Sequence, residues 1–426
     1  MLIHVVRSGD TLYSIARRYG VSVGRIMTDN GLNQNQPLVV GQALIITLPA
    51  VIHTVVSGES IYSIAAAYGL TVWEIMQRNP ELITNQTIRP GQMLTISFRG
   101  QVDREITILG YAYPHIRRNV LLHALPYLTY LAVFSYGFTE SGALIPTEDS
   151  ELIRLAYQYG TAPVLVFSSI DENGGFSSAR ASMLFSDAAL QDMVLDNLIG
   201  VMLEKGYAGM DADFEYVRAE DAEGYFAFLE KAAQRLHANG LFLNVALAPK
   251  TRADQPGLLY EAHDYARIGA VADTTLLMTY EWGYTYGPPM AVAPLDQVRD
   301  VVEYAVTEIA PNKILMGVPN YGYDWRLPYE QGVSRAENLG NQYAVILAGR
   351  RGAEIQLDEA AQSPFFRYYA DGAQHVVWFE DVRSIKGKLT LRDEYALRGV
   401  GYWNIMRPFS QNWAYISTKY HIRKTV

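Results

Sequence analysis

Three acidic residues in the middle of the chain alternate with apolar ones. They are Asp211, Asp213 and Glu215, within the segment Lys205–Val217. Successive side chains of a β-strand point to opposite faces, so residues two apart would place all three carboxyl groups on one side. Stacked like charges oppose folding and raise carboxyl pKa values, which keeps an acid protonated near neutral pH. The apolar residues that flank and separate the acids argue against a solvated edge strand. The pattern therefore predicts a catalytic strand, with Glu215 at its carboxyl end presented to a substrate.

Composition narrows the function classes. With 426 residues, 49% of them hydrophobic, the chain can form two or three domains with substantial cores. A net charge of -9 argues against nucleic acid as a partner. Cysteine is absent, which excludes disulfides, thiolate metal sites and a cysteine nucleophile. The thirty tyrosines and six tryptophans offer aromatic faces of the kind that stack on sugar rings.

Membrane, export and metal signals are also missing. No apolar run reaches the roughly 18 residues of a membrane span, so we expect no membrane association. The first residues lack the charged and apolar regions of a secretory signal, and we expect none. The eight histidines show no paired ligand spacing, so neither a metal nor a cofactor is predicted. The segment E-A-H-D around His263 is interpreted as a surface helix turn.

The N-terminal part of the chain contains one pattern twice. It runs H-V-V-R-S-G-D-T-L-Y-S-I-A from His4 and returns as H-T-V-V-S-G-E-S-I-Y-S-I-A from His53. Apolar residues at i, i+3, i+4 and i+7 predict helices, and each copy is interpreted as strand, helix, helix, strand. Asp10 is predicted to cap the first helix, and the closing strands are predicted at Ala43–Leu48 and Met93–Phe98. Solenoids usually need three or more repeats, so two copies indicate two small independent modules.

The repeated core V-x-x-G-[DE]-[TS]-[LI]-Y-S-I-A-x-x-Y-G, with the later Asn30 and Asn79, closely resembles the LysM domain. The predicted modules span 1–48 and 51–98. The resemblance implies that each copy binds polymers containing N-acetylglucosamine, such as peptidoglycan or chitin. The alternative is a pair of structural caps that bind no ligand.

The remaining chain alternates apolar strands with helical segments after a short polar boundary at 99–105. The predicted strands are Ile106–Ala112, Tyr130–Tyr136, Pro163–Ser169, Tyr207–Glu215, Phe242–Ala248, Thr275–Tyr280, Lys313–Tyr321 and Gly399–Asn404. Eight such strands predict an α/β fold, a (β/α)₈ TIM barrel at 105–426. The longer gap after the seventh strand predicts a small α+β insertion at 324–398.

Chemistry in such barrels lies at the carboxyl ends of the strands. The residues predicted there are mostly aromatic: Tyr111, Tyr113, Tyr136, Tyr280, Glu281, Trp282, Tyr284, Tyr286, Asn320, Tyr321, Asp324, Trp325 and Trp403. An acid ringed by aromatic side chains at a barrel mouth indicates a site that cleaves carbohydrate.

Glycosidases ordinarily pair an acid with a second carboxylate across the sugar. Asp213 shares a strand face with Glu215, so it is poorly placed to oppose it. Glu281 and Asp324 remain possible partners. In substrate-assisted enzymes the acetamido group of the sugar itself attacks the anomeric carbon. One exposed acid above buried acids, with a hydroxyl donor such as Tyr280, fits that alternative.

Four motifs, in order, resemble glycoside hydrolase family 18. G-M-D-A-D-F-E is similar to its D-x-x-D-x-D-x-E signature, and M-T-Y-E to its sixth-strand M-x-Y-[DN]. I-L-M-G-V-P-N-Y-G-Y-D-W is similar to its seventh strand, and V-G-Y-W-N supplies its eighth-strand tryptophan. Over about 105–426 the resemblance implies hydrolysis with retention of configuration through an oxazolinium ion.

The resemblance also implies roles for the matched residues. Glu215 would be the general acid and then the base. Asp213 would orient the acetamido group and share a proton with Asp211. Tyr280 would donate to the acetamido oxygen, and Trp403 would form the floor under the sugar. Further substrate contacts are expected from Tyr111, Met278, Glu281 and Tyr321.

Two positions depart from the family pattern. Ala208 stands where the signature has its first aspartate, so the side-chain hydrogen bond of that aspartate is lost here. Glu281 stands where the family usually has a shorter acid or amide. Neither departure touches Glu215.

Two LysM-like copies followed by this barrel resemble the SleL/YaaH-type hydrolases of spore-forming bacteria. The segments H-V-V-W-F-E-D-V-R-S-I-K-G-K and A-L-A-P-K-T support that subgroup. The resemblance implies an N-acetylglucosaminidase that acts on spore cortex peptidoglycan during germination and is located in the spore coat or cortex, with the bacterial cell wall as the alternative location. A chitinase, or a glycan-binding coat protein without activity, are the other interpretations; the presence of Glu215 argues against the latter. Metal-dependent deacetylation is disfavoured by the histidine spacing.

Overall fold

The computed structural model describes residues 1–34, 36–100, 104–171 and 174–425. Its N-terminal part contains β1 Leu2–Val5, α1 Leu12–Tyr19, α2 Val23–Asn30, β2 Ala43–Ile46, β3 Pro49–Thr54, α3 Ile61–Ala67, α4 Val72–Arg78 and β4 Met93–Phe98. Strand β1 pairs antiparallel with β2, and β3 pairs antiparallel with β4. The predicted order of strand, helix, helix, strand is thus confirmed in both copies. Hereafter the segment from β1 to β2, with its two helices, is called module 1, and the segment from β3 to β4 is called module 2.

The first helix begins one residue later than predicted. The Thr11 side chain accepts a hydrogen bond from the Ser14 backbone N–H, and Ser14 accepts one from the Thr11 backbone, so these two residues form a capping box. Asp10 instead accepts from the backbone N–H of Arg7 at 2.9 Å and contacts His4 Nε2 at 3.0 Å. The predicted cap at Asp10 is therefore wrong, because its carboxylate holds the preceding loop.

The C-terminal part follows as β5 Glu105–Ala112, α5 Arg118–Ala124, β6 Tyr130–Phe138, β7 Leu144–Ile145, α6 Ser150–Gln158, β8 Ala162–Ser168, α7 Ser178–Ser186, α8 Ala188–Lys205, β9 Gly209–Asp213, α9 Ala222–Ala238, β10 Phe242–Leu247, α10 Tyr265–Val271, β11 Thr274–Leu277, α11 Leu295–Glu308 and β12 Ile314–Pro319. It ends with β13 Gly322–Arg326, β14 Glu337–Leu339, α12 Asn341–Arg351, β15 Gln356–Asp358, β16 Ser363–Ala370, β17 Ala373–Trp378, α13 Val382–Glu394, β18 Gly399–Trp403, α14 Ser410–Lys419 and β19 His421–Ile422. The predicted boundary at 99–105 includes 101–103, which lie outside the described residues.

Eight parallel strands close into a barrel. Their order is β5, β6, β8, β9, β10, β11, β12, β18, and β5 pairs with both β6 and β18 to complete the ring. Strand residues at the centre of the barrel are buried on both faces, as the near-continuous apolar sequences require. The predicted (β/α)₈ TIM barrel is confirmed.

The insertion after β12 is a five-stranded antiparallel sheet, in the order β14, β13, β17, β16, β15, covered by α12. The sheet extends from Gly322 to Trp378. Helix α13 packs against α11 and α14 and is thus a helix of the barrel. The observed insertion is therefore shorter than the predicted 324–398, because only packing distinguishes α13 from the elements before it.

Both modules pack on the barrel through α14, which lies against α2 and α4. Most of the hydrophobic core of module 1 is separate from that of the barrel. It is formed by Val6, Ile15, Ala16, Ile26, Leu44 and Ile46. The apolar core of module 2 is continuous with that of the barrel. The expectation of two independent modules therefore differs from the structure, since neither is surrounded by solvent. None of the described helices has the length and apolar character needed to span a membrane.

Candidate active site

Strand β9 places the first two acids. Asp211 and Asp213 are buried at its centre and carboxyl end, between β8 and β10. The strand ends at Asp213, so Glu215 lies on the loop that follows and the prediction of three acids on one strand is wrong for this residue. Tyr216 next in the chain has a φ of 57°, a left-handed conformation that redirects the backbone. Phe214, between Asp213 and Glu215, packs against Phe185, with ring centroids 5.2 Å apart.

Asp211 is held by side chains from two other strands, β5 and β10. Its carboxylate accepts hydrogen bonds from the Tyr111 hydroxyl at 2.6 Å and the Asn244 amide at 2.5 Å. Asn244 in turn accepts one from the Thr274 hydroxyl at 2.7 Å. Burial raises the pKa of Asp211 to about 6, although both hydrogen bonds oppose the shift. Asp211 is thus a fully buried carboxyl in a fixed orientation, two residues before Asp213 on the same strand.

Asp213 is buried without full hydrogen bonding. Among the described residues its Oδ1 atom has no hydrogen-bond partner. Burial, followed by the charges of Glu215 and Asp211, raises its pKa well above the usual 3.8. A buried acceptor without a donor costs stability. This atom is therefore available to a donor that arrives with a ligand.

Glu215 and Glu281 form a second pair of interacting acids. Burial and then the charge of Glu281 raise the pKa of Glu215 to about 7. Glu281 accepts hydrogen bonds from Tyr321 and, at 3.1 Å, from Tyr323. Burial raises the pKa of Glu281 as well, and its backbone has a φ of 68°. A strained conformation held by two tyrosines shows that Glu281 is fixed in place.

Aromatic side chains form the walls. The Tyr280 hydroxyl makes no hydrogen bond within the described part of the chain, and burial raises its pKa well above 10, so it stays a neutral donor. The Trp403 ring packs edge-on against Tyr111 at 5.5 Å and against Phe134 at 5.0 Å. Together these residues enclose a cavity of about 100 Å³, lined by Tyr111, Asp213, Glu215, Ala246, Leu276, Met278, Tyr280, Glu281 and Trp403.

Seven of the nine predicted site residues line this cavity. Asp211 lies deeper, behind Tyr111, and Tyr321 lies behind Glu281. The sequence analysis missed Asn244, which positions Asp211. A polar residue inside the apolar strand F-L-N-V-A-L was the signal that could have identified it.

Other candidates from the barrel mouth are engaged elsewhere. Asp324 contacts His375 Nδ1 at 2.9 Å and accepts from Tyr368, both in the insertion sheet. It is therefore not the carboxylate that opposes Glu215. The Trp325 ring is buried and donates to the Gly287 carbonyl at 2.9 Å, so it is a core residue. Tyr136 donates to Asp149 at 2.5 Å, outside the catalytic cavity.

His263 is buried, with 1% of its surface exposed, and not on a surface turn as predicted. Its Nδ1 accepts from the Ala248 backbone at 2.9 Å, and Nε2 lies 3.2 Å from the Phe214 carbonyl. Burial lowers its pKa to about 4. His263 thus ties the loop after β10 to the residue between Asp213 and Glu215. In the described part of the chain, no group of three or more His, Cys, Asp or Glu side chains is arranged to hold a metal ion.

Comparison with known proteins agrees with this geometry. Residues 164–407, which include all the acids of the cavity, match glycosyl hydrolases family 18. The chain belongs to glycosyl hydrolases family 18. It is a glycoside hydrolase, and residues 4–47 and 53–97 of this family 18 enzyme match the LysM domain.

Three relatives show how far the similarity extends. The family 18 chain is 41% identical to the cortical fragment-lytic enzyme of Bacillus subtilis (strain 168), over 100% of this chain and 99% of that protein. It superimposes on the crystal structure of the spore cortex-lytic enzyme SleL of Bacillus megaterium QM B1551 with a TM-score of 0.84 and 38% identity, covering 100% of this chain and 99% of that one. A chitinase from Chromobacterium violaceum matches 74% of this chain and 98% of its own, with a TM-score of 0.68 and 28% identity. The predicted resemblance to SleL-type enzymes is confirmed.

Proposed function

We propose that this glycosidase is a retaining, substrate-assisted N-acetylglucosaminidase. Its substrate is peptidoglycan of the spore cortex, or cortex fragments, during germination, and its LysM modules hold it on the polymer. One observation supports the mechanism. The cavity combines a protonatable Glu215 with an Asp213 oxygen and a Tyr280 hydroxyl that have no hydrogen-bond partner among the residues that the structure describes.

Glu215 is the proton donor and later the acceptor. A pKa of about 7 leaves a large fraction of this carboxyl protonated at neutral pH. In the first step Glu215 transfers its proton to the glycosidic oxygen, and the bond from this oxygen to the anomeric carbon breaks. In the second step its carboxylate takes a proton from the water that attacks the anomeric carbon.

The nucleophile in the first step is the acetamido oxygen of the sugar. A carboxylate nucleophile needs a free oxygen opposite the acid, but Glu281 is held by Tyr321 and Tyr323. Asp213, two residues before Glu215 in the chain, is better placed to accept the acetamido N–H through Oδ1. Tyr280 donates to the acetamido oxygen. The oxazolinium ion formed in this way blocks one face of the sugar, so water restores the original configuration.

The substrate assignment has separate support. The relatives that match the full chain are named as enzymes that lyse the spore cortex or its fragments. Two LysM modules on the same chain provide further binding to a polymer of N-acetylglucosamine, which raises the local concentration of bonds to cleave. We therefore propose a location in the spore coat or cortex.

Mass spectrometry of the products from purified cortex fragments tests this function, with Glu215→Gln in parallel. We expect new reducing ends at N-acetylglucosamine from the wild type, and turnover lower by roughly 100- to 10,000-fold or more in the variant, because the acid is lost while the shape is kept. Activity on chitin oligomers but not on cortex would keep the mechanism and replace the substrate. Inactivity on both would indicate a glycan-binding protein.

The pH profile tests the acid separately. Because the proton donor is the neutral form and the pKa of Glu215 is about 7, turnover should fall as the pH rises above 7, about tenfold per pH unit. The measurement is kcat/KM on a soluble substrate from pH 5 to pH 9. A rate that stays constant up to pH 9 would contradict the assignment of Glu215.

A further inference from the structure

A second cavity lies where module 1 meets the barrel and the insertion. Its volume is about 680 Å³, compared with about 100 Å³ at the acids. Ligand sites commonly occupy roughly 300–1,000 Å³, so this cavity is large enough for several sugar rings. Gly31 and Asn33 of module 1 form one wall, and Arg117, Tyr343 and Arg407 lie on others.

Two strands and the segments after them contribute to both cavities. Strand β5 supplies Tyr111 to the catalytic cavity, and the segment after it supplies Arg117 to the larger one. Strand β18 likewise supplies Trp403 to the first, and the segment after it supplies Arg407 to the second. Arg407 is also close enough to Tyr321, which holds Glu281, for the two side chains to interact electrostatically. A glycan strand leaving the catalytic cavity on this side would enter the larger one.

Module 1 is held in a defined position at this cavity. Gln342 of α12 donates to the Gly31 carbonyl at 3.0 Å, and the Ile355 backbone N–H donates to the Val40 carbonyl at 3.0 Å. At Gly41 a side chain would clash, since a Cβ there would lie 1.8 Å from the Ile355 carbonyl oxygen. These contacts therefore fix the position of the Gly31 wall relative to the barrel.

The charged side chains that line the larger cavity are Arg117, Arg407 and the carboxylate of Glu337, so arginines outnumber acids and an anionic ligand is favoured. Among the described residues, Arg117 and Arg407 form no ion pair with a carboxylate, whereas the adjacent Arg118 is paired with Glu151. Within the described part of the chain the Arg407 guanidinium makes a single hydrogen bond, to the Asn338 carbonyl at 3.4 Å, and burial lowers its pKa. A partly buried guanidinium without a carboxylate is unfavourable unless a ligand supplies the anion. Exposed Tyr343 adds an aromatic face for a sugar ring.

We propose that this cavity is a second glycan-binding site, which takes a carboxylate-bearing part of the peptidoglycan strand through Arg117 and Arg407. Module 1 is then one wall of a site that it shares with the barrel, and the bond cleaved at Glu215 is selected in part by a remote carboxylate. The carboxylate is either the lactyl group of muramic acid or a group of the stem peptide. The inference rests on the proposed peptidoglycan substrate, but it concerns binding and not cleavage.

Calorimetric titration of the full-length Glu215→Gln protein tests it. The ligands are tetrasaccharides of N-acetylglucosamine and N-acetylmuramic acid, with and without stem peptides, and the uncharged tetramer of N-acetylglucosamine. Adding Arg117→Ala should weaken binding of the charged ligands roughly tenfold or more and leave the uncharged tetramer unaffected. Arg117→Lys should restore most of the loss, because it keeps the charge.

Arg118→Ala is the matched control, because this neighbouring arginine is exposed and already paired. It should bind all three ligands like the parent protein. An effect confined to ligands with stem peptides would identify the peptide carboxylate, and an effect without stems would identify the lactyl group.

Unchanged binding of the charged ligands by both Arg117→Ala and Arg407→Ala would overturn the inference, as would an equal loss for the charged and uncharged ligands. The proposed function fails in a different way, through the absence of cleavage of cortex fragments by the wild type. A protein that does not cleave cortex but binds muramoyl ligands through Arg117 would keep this site and lose only the proposed reaction.

Discussion

The LysM modules and strand β9 both bury polar side chains, but the hydrogen bonding of these side chains differs between the two regions. In module 2, Asn79 is 2% exposed, and its amide donates to the carbonyls of Ile75 and Thr95 at 2.8 and 2.9 Å. Its oxygen accepts from the Thr95 backbone N–H at 2.7 Å. Asn30 does the same in module 1, with Ile26 and Ile45. Each asparagine therefore fastens a helix to a strand.

At the catalytic strand the hydrogen bonding is incomplete. Asp213 is 5% exposed, yet within the described part of the chain one of its oxygens has no partner. Burial, and then the like charge of Glu281, raises the pKa of Glu215. Satisfied buried groups stabilise a fold, whereas unsatisfied groups cost stability and persist where a ligand needs them. The comparison thus separates the residues that stabilise the fold from those of the candidate active site by their hydrogen bonding alone.

Removal of a satisfied group should have the largest effect on stability. Asn79→Ala leaves the Thr95 N–H and carbonyl without partners in the core, which should lower the free energy of unfolding by about 4 kcal/mol. Because the core of module 2 is continuous with that of the barrel, denaturant should unfold the whole chain earlier. Exposed Asn85 is the control, and its change to Ala should cost less than about 0.5 kcal/mol. A variant Asn79→Ala as stable as the wild type would contradict the structural role.

Tyr280 should show the opposite behaviour. Tyr280→Phe removes a donor that has no hydrogen-bond partner among the described residues of the folded protein, so the stability should hardly change. The barrier of the reaction should rise by roughly 2–4 kcal/mol, the usual effect of losing one preorganised donor. Steady-state kinetics and thermal unfolding check the two parts, with exposed Tyr369→Phe as the control. An unchanged rate would point to a different partner for the acetamido oxygen.

The smallest expected effect is on the free energy of unfolding, which the buried charge of Glu215 lowers. Its pKa rises from 4.5 to about 7 on folding, so the native state binds more protons between these values and loses stability as the pH rises through them. Below pH 4.5 the group is neutral in both states and the cost disappears. Glu215→Gln should therefore stabilise the protein at pH 8, by up to about 3 kcal/mol, and have almost no effect at pH 4. Equal stability of the variant and the wild type at pH 8, measured by denaturant unfolding, would contradict the buried charge.

Local patterns predicted most of the fold and much of the site. The strand periodicity located all eight barrel strands to within a few residues, and Ser22 and Thr71 cap the second helices of the modules as their position before an apolar helix face indicates. The order of strands and helices was sufficient for the barrel, because parallel strands joined by helices close in few ways. Once the barrel was predicted, residues at the strand ends were expected to converge, and seven of the nine predicted site residues line one cavity.

Contacts between distant parts of the chain were decided only by the tertiary structure. The sequence by itself determined the acids, the repeats and the barrel, because these depend on neighbours a few residues apart. Strand β9 ends before Glu215, and His263 is buried. Asn244 donates a hydrogen bond to Asp211, 33 residues away in the sequence. All three features depend on how separate strands and loops pack. The docking of module 1 through Gln411, which donates to Asn30 at 2.9 Å, joins residues 381 apart. No local periodicity encodes such pairs, since their energy arises only after the modules and the barrel have come together.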